Sequence, residues 1–155
     1  MKVSDILRMK GNTLYTATPN DLLLTAVTLM AERDVGSLIV MEHGELVGIL
    51  TVRELSQAIA KMQGDVRQTS VRAAMDDCPV TCTLATEIDE VRRMMLDRHA
   101  RYMPVMDAGR LMGVISFHDV ARAVVDSQNF ENKMLKAYIH NWPEDGTNGS
   151  ETPKL

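Results

Sequence analysis

Two short runs of the chain set a hydroxyl and a carboxylate three residues apart: Thr51-Val52-Arg53-Glu54 and Ser116-Phe117-His118-Asp119. Each follows a short apolar stretch of strand character, 46–50 or 111–115, and precedes a segment with apolar residues at helical spacing. The hydroxyl therefore falls where a strand hands over to a helix. There the first backbone N–H groups have no intrahelical partner and the positive end of the helix dipole collects, an environment that suits a phosphate. A carboxylate one turn further on is placed to accept hydrogen bonds from two vicinal ribose hydroxyls. The same residues also satisfy the capping-box pattern, in which both side chains only close backbone donors. One does not preclude the other.

Other chemistries lack their residues. Cys78 and Cys82 have no second thiol pair, and His43, His99, His118 and His140 are scattered without HExxH-type pairing, so a metal site finds no ligands. No Walker loop, Ser-His-Asp order or carboxylate-rich cluster supports an enzyme, and no catalytic cofactor is implied. A formal net charge of −4 without a basic block argues against nucleic acid. No run approaches the roughly 20 apolar residues of a membrane span, and the N-terminus lacks a secretory pattern, so the expected setting is the cytoplasm, away from the membrane.

The elements that hold the two runs are read from an internal repeat. The stretch 16–59 aligns without a gap on 81–124 at one fixed offset: Thr16 on Thr81, Thr18 on Thr83, Met30 on Met95, Arg33 on Arg98, Gly48 on Gly113, Thr51 on Ser116 and Glu54 on Asp119. A shorter lead-in, Val3-Ser4-Asp5-Ile6-Leu7, matches Val71-Arg72-Ala73-Ala74-Met75 after a small shift, placed in the Gly11-Asn12 loop. In copy one Thr18-Pro19-Asn20-Asp21 reads as a helix start, followed by Leu23, Ala26, Val27 and Met30 on one face. Then come a strand over 36–41, a turn at Glu42-His43-Gly44, a strand over 46–50, and a helix over 52–62 with Leu55, Ala58, Ile59 and Met62 on one face. Copy two repeats this as a helix over 86–99, strands over 102–106 and 111–115, and a helix over 117–127.

Each copy is thus a β-α-β-β-α unit of about 50 residues, too small for a comfortable core by itself. The predicted fold is α/β (α+β), two pseudo-twofold units packed through their sheets with equivalent clefts between them. Of the 12 methionines, Met30, Met94, Met95 and Met134 read as core fillers. Beyond the repeat, Phe130, Met134, Leu135, Tyr138 and Ile139 form a partly helical apolar stripe that covers the unit or joins a dimer contact, and the Gly/Asn/Ser/Thr-rich end reads as disordered.

The run Gly113-Val114-Ile115-Ser116-Phe117-His118-Asp119-Val120, preceded by Met103-Pro104-Val105-Met106-Asp107, resembles the signature of the CBS family, named for cystathionine β-synthase. Its partner is Gly48-Ile49-Leu50-Thr51-Val52-Arg53-Glu54-Leu55, and the doubling at one offset makes the resemblance specific. It covers residues 3 to 127. It implies a stand-alone tandem pair, or Bateman module, with one domain over 1–64, a second over 65–128, a C-terminal helix over 129–142 and a tail over 143–155. Such pairs bind AMP, ADP, ATP, NAD(H), S-adenosylmethionine or related adenosyl molecules in interfacial clefts, and dimerise into a flat disk.

The resemblance also distributes roles. Ala100-Arg101-Tyr102-Met103-Pro104 is similar to the family strand that lines the nucleotide cleft, with Arg101 positioned for phosphate, although a solvated surface arginine fits the sequence too. Copy one has Gly36-Ser37-Leu38-Ile39 there, without charge, and Glu54 in place of the usual aspartate. The better site is therefore expected around Ser116, His118 and Asp119, with Arg53 partly supplying the missing charge of the site at Thr51. Thr16, Thr18, Thr81 and Thr83 are expected against adenine and ribose, or else in capping and strand roles.

The function implied is a regulatory module that senses energy or redox state and signals through an effector protein or a change of assembly, a homodimer being expected. A ligand-free dimerisation module is the alternative, and a nucleotide-processing enzyme the least supported.

Overall fold

The computed structural model describes residues 1–11 and 13–141. The repeat appears in it as two three-stranded sheets of one topology. β1 (Thr16–Ala17) pairs parallel with β2 (Ser37–Glu42), which pairs antiparallel with β3 (Glu45–Thr51); β4 (Cys82–Thr83), β5 (Tyr102–Asp107) and β6 (Arg110–Ser116) repeat the order. Both hairpins turn through two residues with positive φ, His43-Gly44 and Ala108-Gly109, as the twist of a two-residue loop demands. Even the register shift recurs, at Val40/Met41 and Val105/Met106.

α2 (Leu23–Arg33) and α5 (Ile88–Arg98) link first to second strands, burying Leu23, Ala26 and Met30, or Ile88, Val91 and Met95, at a spacing that forms one helical face. α3 (Val52–Lys61) and α6 (Phe117–His140) leave the third strands directly at Thr51 and Ser116.

The lead-ins trade places. α1 (Val3–Lys10) packs Val3, Ile6 and Leu7 into the core of copy two with Val91, Met103 and Ile115, whereas α4 (Val71–Ala74) places Val71 in the core of copy one with Leu23, Leu38 and Leu50. The exchange is stitched by matching backbone hydrogen bonds: Val3 and Ser4 N–H donate to Thr86 and Leu84 C=O, and Val71 and Arg72 N–H to Asp21 and Pro19 C=O. It also explains a glycine in each third strand. A Cβ at Gly48 would lie 2.7 Å from the Asp76 carbonyl oxygen, and one at Gly113 3.0 Å from Leu7 Cδ2.

Four expectations change. Residues 18–21 form a turn, in which Thr18 N–H donates to Asp21 Oδ2 at 2.9 Å, and α2 starts only at Leu23. The carbonyls of Pro19 and Asp21 are spent on α4, so they do not open a helix. The two helices expected at 117–127 and 129–142 are one helix of 24 residues, because no glycine or proline interrupts it. As α6 runs past the core, whose last buried α6 residue is Ala123, Met134 is exposed and fills nothing; Met30 and Met95 are buried as expected. On α3, Ala58 is buried but Ile59 and Met62 are exposed. The expected tail over 143–155 lies outside the described residues.

Candidate functional site

Where the copies meet, each strand-to-helix junction opens on a cleft. Cleft 1, about 560 Å³, is bordered by Thr51, Arg53, Glu54 and Ser56 of copy one, by Asp76, Cys78, Pro79 and Val80 after α4, and by Arg98, Ala100, Arg101 and Tyr102 of copy two. Cleft 2, about 840 Å³, is bordered by Ser116, Phe117 and His118 at the start of α6, by Lys10, Thr13 and Tyr15, by Val35, Gly36 and Ser37, and again by Arg101 and Tyr102. The exchanged lead-ins are what bring Lys10 to one cleft and Cys78 to the other.

In cleft 1 Thr51 caps α3. Its hydroxyl accepts from Arg53 N–H at 3.2 Å and donates to Glu54 Oε2 at 2.8 Å. Glu54 is only 7% exposed, a carboxylate that leaves Oε1 as its uncommitted acceptor among the described residues. The Arg53 guanidinium reaches across to donate to the His99 carbonyl, tying the start of α3 to the end of α5.

In cleft 2 the capping box is complete: Asp119 N–H donates to Ser116 Oγ at 3.0 Å and Ser116 N–H to Asp119 Oδ2 at 2.8 Å. Lys10 Nζ donates to the same Oδ2 at 2.7 Å and to the Val114 carbonyl at 3.0 Å. Burial would push the Asp119 pKa up, but the Lys10 ammonium and the Ser116 bonds outweigh it and hold the carboxyl below its ordinary value. Both contacts fall on Oδ2, so Oδ1 has no partner among the described residues. Cap and acceptor roles are therefore compatible on one side chain.

Of the residues singled out from the sequence, Thr51, Arg53, Glu54, Gly36, Ser37, Arg101, Tyr102, Ser116 and His118 border the clefts, with Asp119 one bond behind Ser116 and Lys10. Leu38 and Met103 are wholly buried core residues and Pro104 is buried in β5, its carbonyl facing Cys82 Sγ. Thr18 and Thr83 serve turns with Asp21 and Thr86; Thr16 borders a separate cavity with Asp21 and Glu32, and Thr81 borders none of these spaces. Lys10, Arg98 and Cys78 were not foreseen. Arg98 stood in the repeat opposite Arg33, but Arg33 lies over the Tyr15 ring at 5.5 Å, where copy two has Val80, so the equivalence hid a released cation.

A doubled unit with a hydroxyl-capped helix entrance and an acid at each of two interfacial clefts defines a tandem domain pair. Comparison places it: the CBS domain family model matches residues 3–61 and 71–126, and the chain belongs to that family. It is 31% identical over 146 residues to CBS domain-containing protein CBSX3, mitochondrial, of Arabidopsis thaliana, covering 88% of this chain and 71% of that protein. A CBS-domain containing protein from Agrobacterium tumefaciens superposes with TM-score 0.76 at 33% identity, covering 79% of this chain and 98% of the other. CBSX2, solved in complex with AMP, superposes with TM-score 0.68 at 25% identity, covering 82% and 98%.

Proposed function

We propose that the chain is a non-catalytic regulatory pair that binds an adenine nucleotide, AMP before NAD(H), in its interfacial clefts. The observation that carries this is the Ser116–Asp119 junction in cleft 2: the positive end of α6 at a hydroxyl-capped entrance, an acid with one uncommitted oxygen, and the cations Lys10 and Arg101 at the rim. The AMP complex of CBSX2 supports the choice of nucleoside. Binding alters output only if two states differ in affinity, so the signal passes to an effector protein or a change in assembly. Exposed Phe130, Met134, Leu135 and Ile139 on α6 support pairing with a second copy. No helix among the described residues is long and apolar enough to cross a membrane.

Calorimetric titration with AMP tests this. Asp119→Ala is expected to weaken AMP binding about tenfold or more, while loss of the cap costs about 1 kcal/mol of stability. Unchanged affinity with a lowered melting temperature would leave Asp119 as a cap only. Incubated AMP, ADP and ATP are expected back unaltered; released product would make the chain an enzyme.

The ligand-free dimerisation reading is favoured by one observation, the Lys10–Asp119 pair, which already occupies the acid of cleft 2 from within the chain. It predicts no binding of any of these nucleotides.

A further inference from the structure

The pseudo-twofold symmetry fails at the point where the second strand of each copy begins. Gly36 and Arg101 hold equivalent places in the repeat. Any side chain at position 36 would have to push Tyr102 aside, since a Cβ there would lie 1.9 Å from the Tyr102 hydroxyl oxygen, and Tyr102 reaches across between the copies. Arg101 therefore has no symmetry mate, yet it borders both clefts. It is exposed, and its guanidinium has no partner among the described residues. The other cations are differently placed. Arg53 is held by the His99 carbonyl, Lys10 is held by Asp119 and Val114, and Arg98 borders cleft 1 alone.

Resting on the nucleotide reading above, we propose that Arg101 is a single anion contact shared by the two clefts, so that a phosphate-bearing ligand in one weakens the binding of a second in the other. A guanidinium fork engages one phosphate with two parallel bonds and cannot serve two at once. When Arg101 turns to cleft 1, where Arg98 adds a second cation, cleft 2 keeps only Lys10, which must leave Asp119 to reach a phosphate. The antagonism is reciprocal, as linkage requires. A nucleoside without phosphate makes no claim on Arg101 and enters the two clefts independently.

Calorimetric titration of the 155-residue chain with AMP and with adenosine tests the proposal. AMP is expected to bind in two steps whose affinities differ about tenfold or more, within the usual range of coupling between sites. In Arg101→Ala, an exposed position where the fold is expected to persist, the first step weakens and the gap closes to about threefold or less. In Glu54→Gln, which impairs cleft 1, and in Asp119→Ala, which impairs cleft 2, AMP is expected to enter the remaining cleft about fivefold more tightly than the second step of the unaltered chain, or tighter still. Adenosine should show the same step ratio in the unaltered chain and in Arg101→Ala. A gap that persists in Arg101→Ala, or a remaining cleft no tighter than that second step in either Glu54→Gln or Asp119→Ala, overturns the shared contact while leaving nucleotide binding intact. No binding of AMP or adenosine at all overturns the nucleotide reading and this inference with it.

Discussion

Asp119 and Glu54 stand in equivalent places and are committed differently. Asp119 spends Oδ2 on its cap and on Lys10, whereas the longer Glu54 folds back to its own Thr51 and is buried. Lys10 corresponds in the lead-in alignment to Cys78, so cleft 1 has a thiol where cleft 2 has an ammonium. That thiol is exposed, while burial pushes the Cys82 pKa up to about 12 and keeps it out of reach. A thiol reagent at pH 8 is therefore expected to modify Cys78 alone in the folded chain, and saturating AMP to slow that modification about tenfold or more if cleft 1 fills. An unchanged labelling rate would put the nucleotide elsewhere. The hydroxyl–acid pairs were legible in the sequence because their members are three residues apart and belong to one helix entrance. Lys10 was not, because it meets Asp119 across 109 residues, by way of an exchange of lead-ins that no local pattern records. Leu38, Met103 and Pro104 were assigned to the site by their strands, but β2 and β5 are the middle strands of their sheets, and their consecutive residues are buried on both faces.

At the scale of elements, the fixed offset of the repeat carried most of the architecture, since apolar spacing sets which face of each helix and strand is buried. Residues 18–21 escaped it: a threonine, a proline and an early acid look like a helix start, yet their carbonyls serve α4. The exchanged lead-ins also give the two third-strand glycines unequal weight. In Gly48→Ala the new methyl meets the Asp76 backbone oxygen, which is fixed by its own pairing with Ile49, and a destabilisation of about 1–3 kcal/mol is expected. In Gly113→Ala it meets the side-chain end of Leu7 and no backbone atom, and a smaller loss is expected, about 1 kcal/mol or less. Thermal unfolding of both variants checks the order. The reverse order, or no loss in either, would mean that Asp76 does not sit against β3 as described.

For the whole molecule, two small cores that each borrow a lead-in from the other copy cannot separate without exposing both. The clefts are thus fixed features of the interface, and a ligand in them bears on both copies at once. α6 extends beyond this body with Phe130, Met134, Leu135 and Ile139 in solvent, a surface suited to carry the effect outward. The central claim is that a nucleoside phosphate occupies those clefts. A crystal structure of the chain grown with saturating AMP tests it most directly. The account predicts the ribose against the free oxygen of Asp119 or Glu54 and the phosphate beside Arg101. Clefts empty of nucleotide at saturation, with Lys10 still seated on Asp119, would contradict it.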